Sequence, residues 1–394
     1  MAVLASLESD VSRAVGLRHR LHQVPELCYE EFETAAIIRA ALDELGIAYV
    51  EGVPDAPTAT IAWLGDASKP CVALRADIDG LPILERTGLC YSSTHPGRMH
   101  ACGHDGHCAI LLGTAGVLKQ IEGELPVCVK LIWQPAEEGG GGAERLVEAG
   151  VLDGSLGPKV RAIFGLHGWP GLRVGMVATK AGAILAATDN FAITFIGSGC
   201  HGAYPHLGVD PIVTACEAVL NLQQFVGREM DPTEPAVITV GKISAGTATN
   251  VIPDTATIEG TARTLEAQAR TRVRESVERR CTGIADANAC EIRFDWIEGY
   301  PPTFNDPAMA DYVARVAAES LGADRYLPVS RPSMGAEDFS YYLQAVPGCF
   351  FFVGVDPPDR QTYPPLHSDR YDFTDAAVGV GMQMFLELVK NFPS

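Results

Sequence analysis

Thiol, imidazole and carboxylate groups crowd into one short segment of the sequence, His-Ala-Cys102-Gly-His104-Asp105-Gly-His. Divalent transition metals bind this mixture of groups when they lie close together and have lost their protons. The segment therefore predicts a metal site at the start of a helix. The alternative is an Asp that caps the helix, with histidines that are there by coincidence.

Two adjacent glutamates, Glu137 and Glu138, follow an apolar stretch and precede four consecutive glycines. Neighbouring residues of an extended chain point in opposite directions, so one Glu would bind a metal while the other faces the substrate as general base. The glycines would let the backbone turn sharply beside a ligand. An acidic turn at the end of a strand is the alternative.

Two further histidines, His167 and His367, stand alone in the sequence. Each by itself is typical of a structural histidine, and their significance is collective. We expect His167 directly after a strand and His367 in a loop beyond another strand. Ligand sites of doubly wound sheets form outside the carboxyl ends of the strands, where all of these candidates fall.

Three aspartates are candidates for orienting the metal-bound histidines. Asp77 and Asp79 end an apolar strand at the same predicted edge, and Asp105 lies inside the histidine-rich segment. Carboxylates commonly hold the second ring nitrogen of a ligating histidine. Capping of the next segment is the alternative.

The middle of the chain offers polar residues for binding a substrate. His201 and His206 lie in one Gly-rich run, Asn250 lies in a second, and Arg263 ends a predicted strand. Side chains of these types bind an oxyanion or a substrate carboxylate. Gly, Asn and Pro are also the residues that turns require, so turn formation remains the alternative.

Apolar periodicity predicts the elements that must position these residues. The first half alternates strands and helices, which predicts an α/β domain with a doubly wound, mainly parallel sheet. The middle has the order β-α-β-β-α-β, which is typical of a ferredoxin-like α+β domain. We therefore predict a discontinuous catalytic domain, residues 1–182 and 299–394, interrupted by a lid or dimerisation domain, residues 183–298. Strands are predicted at 71–76, 127–133, 162–166, 191–196, 236–244, 255–263, 291–297 and 350–355, and helices at 9–21, 31–45, 106–121, 211–228, 266–280 and 374–389.

Composition narrows the class of protein. A chain of 394 residues favours two domains. Its net charge of −19 argues against nucleic acid as a partner, and no apolar run is long enough to predict a membrane span. The N-terminus lacks the pattern of a secretory signal. Eleven scattered cysteines without a C-x-x-C pair favour reduced thiols and a cytoplasmic location.

Motifs along most of the chain resemble the M20 metallopeptidase clan, in particular its branch of hippurate hydrolases and plant indole-acetyl-amino-acid hydrolases. The cysteine in Cys102-Gly-His104 is typical of this amidohydrolase branch, and Asp77 occupies a position where many dimetal relatives have His. One departure is Ser198, where relatives often have Lys. The matching motifs are Leu21-His-Gln-Val-Pro-Glu-Leu, Leu74-Arg-Ala-Asp-Ile-Asp-Gly-Leu-Pro, Met99-His-Ala-Cys-Gly-His-Asp-Gly-His, Gln134-Pro-Ala-Glu-Glu-Gly-Gly, His201-Gly-Ala-Tyr-Pro-His, Asn250-Val-Ile-Pro, Ser333-Met-Gly-Ala-Glu-Asp-Phe and Leu366-His-Ser.

The resemblance implies a role for each candidate. Glu137 is the general base, His201 stabilises the transition state, and Asn250 and Arg263 lie near the substrate carboxylate. We place His206 with the substrate-binding residues. The resemblance further implies two divalent ions, Mn, Zn, Ni or Co, and a homodimer or higher homo-oligomer formed through the small domain. The implied metal ligands are Cys102, His104, Glu138, His167 and His367.

The activity implied is hydrolysis of the amide bond of N-acyl amino acids by a metal-activated water. Deacetylation of N-acetyl-diaminopimelate and dipeptidase or carboxypeptidase activity are alternatives, because the pocket sets specificity rather than the metal. A non-catalytic binding protein is a remote alternative, which predicts a missing ligand or base.

Overall fold

The computed structural model describes residues 7–359 and 362–393. These residues form two compact units. The larger unit comprises the chain up to Ile184, Phe304–Arg331 and the chain from Asp338 onward. The smaller unit comprises Leu185–Thr303 and Pro332–Glu337. The segment 332–337, which the sequence assigned to the catalytic domain, is tied to the smaller unit by a hydrogen bond of 2.8 Å from the Ala186 amide to the Gly335 carbonyl.

Helices and strands alternate along most of the described chain. The helices are α1 (Glu8–His22), α2 (Phe32–Glu44), α3 (His104–Gln120), α4 (Gly142–Glu148), α5 (Pro211–Arg228), α6 (Ala267–Ala287), α7 (Pro307–Leu321), α8 (Ser340–Ala345) and α9 (Asp375–Lys390). The strands are β1 (Tyr49–Val53), β2 (Ala56–Leu64), β3 (Cys71–Asp77), β4 (Cys128–Gln134), β5 (Val160–Arg173), β6 (Val177–Thr179), β7 (Gly182–Leu185), β8 (Ala187–Ile196), β9 (Cys200–His201), β10 (Ala236–Ala245), β11 (Val251–Ile252), β12 (Thr255–Thr264), β13 (Glu291–Glu298), β14 (Thr303–Asn305), β15 (Tyr326–Pro328) and β16 (Gly348–Asp356).

The larger unit contains an eight-stranded sheet in the order β1-β2-β4-β3-β5-β16-β6-β15. Strands β4, β3, β5 and β16 run parallel to one another. Leu131 of β4 belongs to the same core as α3, whereas the neighbouring Lys130 donates 2.6 Å hydrogen bonds to the Val151 and Leu156 carbonyls, beyond α4. Because alternate residues of a strand face opposite sides, helical layers cover both faces. The predicted α/β class is confirmed.

One antiparallel hairpin at the edge of this sheet was not predicted. Strands β1 and β2 pair through the register Tyr49↔Ala62, and β2 then pairs antiparallel with β4. The turn between them places Asp55 at φ +62°, in the left-handed region that Asp tolerates better than most residues. The hairpin lies outside the alternation of strand and helix from which the sheet was predicted.

The smaller unit has a four-stranded antiparallel sheet in the order β10-β12-β8-β13. Helices α5 and α6 pack together against it, and its core includes Phe191, Phe195 and Leu222. The chain order of its main elements is β-α-β-β-α-β, as predicted, with the short pair β9 and β11 added. None of the helices in the described ranges is both long and apolar enough to cross a membrane.

Candidate metal centre

Three adjacent parallel strands deliver acidic and imidazole groups to one edge of the large sheet. Asp77 is the last residue of β3, and Asp79 follows it. Glu137 and Glu138 follow the end of β4. His167 lies within β5, which continues to Arg173, so the prediction that His167 directly follows a strand is wrong. The carboxyl edge of the sheet nevertheless brings all five residues to one region, as expected for a doubly wound sheet.

The start of helix α3 supplies two more groups. Gly103 precedes the helix with φ +89°, and a Cβ there would lie 3.0 Å from atoms of Phe373 and Tyr371. Glycine adopts this positive φ without strain and has no Cβ to collide with the two aromatic side chains. The chain therefore turns into the helix with the buried side chains of Cys102 and His104 on either side of the turn.

A loop residue, His367, completes the cluster. Its φ is +64°, and its amide donates a 2.8 Å hydrogen bond to the Ala101 carbonyl, beside Cys102. Its Nε2 lies 3.2 Å from Glu138 Oε1. The His367 side chain is 51% exposed, whereas Cys102 and His104 are buried. The cluster is thus open to solvent on the side of His367.

The candidate ligand atoms lie within coordinating range of one another. Sγ of Cys102 lies 3.4 Å from Nε2 of His167. Nε2 of His104 lies 3.9 Å from Oε2 of Glu137. Three groups each have all their ligand atoms within 4.8 Å: Cys102 with His104 and His167, Cys102 with Glu138 and His367, and His104 with Glu137 and Glu138.

Hydrogen bonds aim the imidazoles of two histidines into the cluster. Nδ1 of His104 lies 3.1 Å from Asp79 Oδ1, and Nδ1 of His167 lies 2.8 Å from the Gly168 carbonyl. Both Nε2 atoms are thereby left for a cation. In the described part of the chain, the buried atom His104 Nε2 has no hydrogen-bond partner. A donor set of one thiol, three imidazoles and a carboxylate fits divalent transition metals.

The two glutamates lie in a turn, so the prediction of an extended segment is wrong. Ala136 has φ +57° and Gly139 has φ +93°, and the Gly139 amide donates a 2.7 Å hydrogen bond to the Glu137 carbonyl. A Cβ on Gly142 would lie 1.8 Å from the Pro135 carbonyl oxygen, so the tight return of the chain requires glycine there. The separation of the two carboxylates follows from this turn and not from strand alternation.

Burial and charge set the protonation of the three buried candidate ligands. Burial, together with the charges of Glu138 and Glu137, raises the pKa of Cys102 well above its ordinary value. Burial lowers the pKa of His104, but Asp77 and Asp79 outweigh it and bring that pKa to about 10. Burial lowers the pKa of His167 well below its ordinary value. His167 is therefore a neutral ligand as it stands, whereas Cys102 and His104 must release protons to bind a cation.

Comparisons with known proteins identify the family. The sequence pattern of peptidase family M20/M25/M40 matches residues 73–391. The chain belongs to this family. It is 44% identical over 358 residues to an N-acetyl-L-cysteine deacetylase of Bacillus subtilis, covering 90% of this chain and 82% of that protein. It is 40% identical over 382 residues to IAA-amino acid hydrolase ILR1-like 4 of Arabidopsis thaliana, covering 96% and 85%.

A solved structure extends the likeness to the fold. The crystal structure of the Bacillus subtilis YXEP protein, described as a dinuclear metal-binding peptidase of the M20 family, matches with a TM-score of 0.83 at 37% identity. The match covers 97% of this chain and 98% of that one. The resemblance found in the motifs is confirmed, and the protein is a hydrolase of amide bonds.

In this M20 protein, the smaller unit carries the residues predicted to bind substrate. His201 lies in the two-residue strand β9 and pairs with Val251 of β11. Asn250 lies beside this pair, since the Gly202 amide donates a 2.8 Å hydrogen bond to the Asn250 carbonyl. His201 and Asn250 line one pocket of about 940 Å³. The Ala203 amide donates to His201 Nδ1 at 3.0 Å, so the neutral ring carries its proton on Nε2.

The other two predicted substrate residues lie elsewhere on the smaller unit. His206 is exposed in a short helical turn, with its ring edge-on to Tyr204 at 6.4 Å. Arg263 lies on the central strand β12, where its guanidinium contacts the hydroxyls of Thr188 and Thr261. Neither is among the residues that line the pocket of His201.

Asp105 was predicted to orient a metal-bound histidine, but its side chain contacts other residues. Its Oδ2 accepts from Nδ1 of His22 at 2.9 Å and from Arg18 at 3.2 Å. Within the described ranges, no hydrogen bond joins Asp105 to a candidate ligand. The helix turns by about 100° per residue, which points Asp105 away from the side of His104 and into a buried ion-pair cluster.

One histidine beside the site was missed. His107 stands one helical turn after His104, its Nδ1 lies 2.7 Å from Asp77 Oδ1, and its Nε2 accepts from the Gly168 amide at 2.8 Å. Asp77 therefore orients His107 directly, and His107 holds the backbone beside His167. The i, i+3 spacing of His104 and His107 could have signalled a shared helix face.

Proposed function

We propose that this protein is a metal-dependent amidohydrolase that cleaves N-acyl amino acids to a carboxylate and a free amino acid. The observation that carries the proposal is the convergence of Cys102, His104, Glu138, His167 and His367 at one sheet edge. Two relatives, 40% and 44% identical over the aligned residues, are an IAA-amino acid hydrolase and an N-acetyl-L-cysteine deacetylase.

We assign these five residues as ligands of two divalent ions. Two of the three-residue groups described above, here called the candidate triads, share Cys102. One contains His104 and His167, and the other contains Glu138 and His367. A buried thiolate favours the softer ions Zn, Ni and Co, while Mn remains compatible with the carboxylate and imidazoles. Bound cations in such a centre lower the pKa of a water and polarise a carbonyl.

The chain's own residues then move the proton and hold the charge. Glu137 takes a proton from the attacking water and delivers it to the nitrogen of the departing amine, so that water is added across the C–N bond. His201 donates from Nε2 to the oxyanion that develops on the amide carbonyl. Asn250 lies beside His201 in the same pocket and binds the substrate carboxylate. We retain Arg263, for the carboxylate, and His206 as proposed substrate-binding residues on the family resemblance alone, since neither lines that pocket.

A substrate panel tests this function. We expect N-acetyl and N-benzoyl amino acids to be hydrolysed with kcat/KM at least tenfold above that for unblocked dipeptides and N-acetyl-diaminopimelate, because the pocket decides specificity. A preference for dipeptides or for N-acetyl-diaminopimelate would move the assignment to a peptidase or to that deacetylase. Metal binding without hydrolysis of any of them would favour the non-catalytic alternative.

We further propose a homodimer formed through the smaller unit, which acts as the lid and dimerisation domain. Its helix α5 and strand β10 expose the apolar side chains of Val213, Leu220 and Ile243. Light scattering after gel filtration should give twice the chain mass.

A cytoplasmic location is also part of the proposal, since all eleven cysteines are free thiols.

A further inference from the structure

A segment far away in sequence holds the turn that carries the two glutamates. Cys28–Glu31, between α1 and α2, makes hydrogen bonds to alternate residues of this turn, residues 136–140. They run from the Ala136 amide to Glu31 Oε1 at 2.9 Å, from Cys28 Sγ to the Glu138 carbonyl at 3.2 Å, and from Tyr29 Oη to the Gly140 carbonyl at 2.7 Å.

Glu31 is the fixed point of this segment. Its side chain is buried, and Oε1 also accepts from the Tyr29 amide at 2.9 Å, while Oε2 accepts from Thr58 Oγ1 at 2.7 Å. Tyr29 stands at φ +62°, a conformation that costs a non-glycine residue energy and is held here by that hydrogen bond. The Glu31 carboxylate thus fixes the backbone at Tyr29 and at Ala136, where the turn begins.

Asp79 provides a second side-chain contact to the backbone of Glu138. The Glu138 amide donates to Asp79 Oδ2 at 2.9 Å, and the Glu138 carbonyl lies 3.2 Å from Cys28 Sγ, nearer than the 3.4 Å between that thiol and Asp79 Oδ2. Both polar groups of the Glu138 backbone are therefore held by side chains. The turn is also tightly packed. A Cβ on Gly140 would lie 2.6 Å from the Ala136 Cβ and 3.1 Å from Tyr29 Cε2.

We propose that Cys28, Tyr29 and Glu31 are positioning residues that set the carboxylates of Glu137 and Glu138. This role rests on the proposed function, in which Glu138 binds metal and Glu137 is the base. Residues that support a ligand typically change metal affinity 10- to 100-fold when they are lost. A base displaced by about 1 Å loses about 100-fold in rate.

Two substitutions remove the polar groups that contact the turn with little change in shape. Cys28 Sγ also lies 3.4 Å from Asp79 Oδ2, and the Tyr29 hydroxyl also has Arg145 as a partner. Tyr29→Phe removes Oη, and Cys28→Ala removes the thiol. We expect each to weaken Co²⁺ affinity about tenfold, measured by competition with a chromophoric chelator, and to lower kcat more than it changes KM. Cys28→Ser keeps a donor to the Glu138 carbonyl and should stay within about threefold of the unmodified protein. Tyr49→Phe, which removes an exposed hydroxyl bonded to Asp43 at 3.3 Å, is the matched control.

The same experiment separates positioning from general destabilisation. Chelator-treated Tyr29→Phe and Cys28→Ala should keep a Tm within a few degrees of the unmodified protein, while their metal affinity falls. Unchanged affinity in both variants, a serine variant as weak as the alanine variant, or a metal-free Tm that falls in step with affinity would overturn the proposal. An unmodified protein that binds no Co²⁺ would instead refute the proposed function.

Discussion

Oδ1 of Asp79 lies 3.1 Å from Nδ1 of His104, and the same carboxylate accepts the Glu138 amide through Oδ2 at 2.9 Å. One buried side chain thus fixes a candidate ligand on helix α3 and another on the turn after β4. The hydrogen bond to Nδ1 leaves His104 Nε2 as the ring atom that faces the cluster. Asp79 is therefore the residue through which these two parts of the centre are joined.

Removing the charge of Asp79 should loosen both ligands together. We expect Asp79→Asn to weaken divalent-metal affinity 10- to 100-fold, because the amide cannot hold the imidazole and the backbone N–H as the carboxylate does. Competition with a chelator measures this. Asp66→Asn, at an exposed carboxylate of the same unit, should leave affinity unchanged. Equal affinity of the Asp79 variant and the unmodified protein would show that Asp79 does not support the centre.

Glu137→Gln separates the base from the ligands. The amide keeps the shape but cannot accept a proton, so we expect kcat to fall by about 10²–10⁴-fold. Metal content, measured by elemental analysis, should stay near that of the unmodified protein. A variant that loses its metal would mean that Glu137 is a ligand and that the roles of Glu137 and Glu138 are exchanged.

Cys102→Ala tests the thiolate ligand. We expect metal occupancy after dialysis to fall, since Cys102 is common to two of the candidate triads. Cys108→Ala is a matched control, because Cys108 is also a buried cysteine near the start of α3. Occupancy that is the same in both variants would remove Cys102 from the ligand set.

Metal affinity should rise with pH. In the metal-free protein, burial raises the pKa of Cys102, and Asp77 and Asp79 outweigh burial to bring that of His104 to about 10. Both groups are therefore protonated at neutral pH and release protons when a cation binds. Calorimetric titrations between pH 6 and 9, in buffers of different ionisation enthalpy, measure that release directly. An affinity that does not change over this range would contradict protonated Cys102 and His104 in the metal-free site.

Local sequence patterns predicted much of the fold and supplied the candidate residues of the centre. The apolar run before Asp77 predicted a strand at 71–76, where β3 is Cys71–Asp77. The helix predicted at 106–121 corresponds to α3, His104–Gln120. The candidate ligands could be gathered because the carboxyl ends of parallel strands share one edge, which is a property of the fold class and needs no side-chain detail.

What the sequence could not predict depends on contacts between distant residues. The turn at Glu137 is shaped by a hydrogen bond from Cys28 and by one that Glu31 accepts, both from residues more than 100 positions earlier, and no local pattern predicts them. Asp105 was assigned by its proximity to His104 in sequence, but its partners His22 and Arg18 come from another helix. Neighbours in sequence on a helix point to different sides, so adjacency alone misassigned it.

Removal and return of the metal test the central claim most directly. The protein is stripped with a chelator, reloaded separately with Mn, Zn, Co or Ni, and assayed for hydrolysis of N-acetyl-methionine and hippurate. We predict that activity disappears with the metal, returns with at least one of these ions, and saturates at two ions per chain. Activity that survives complete removal of the metal would contradict a metal-dependent amidohydrolase.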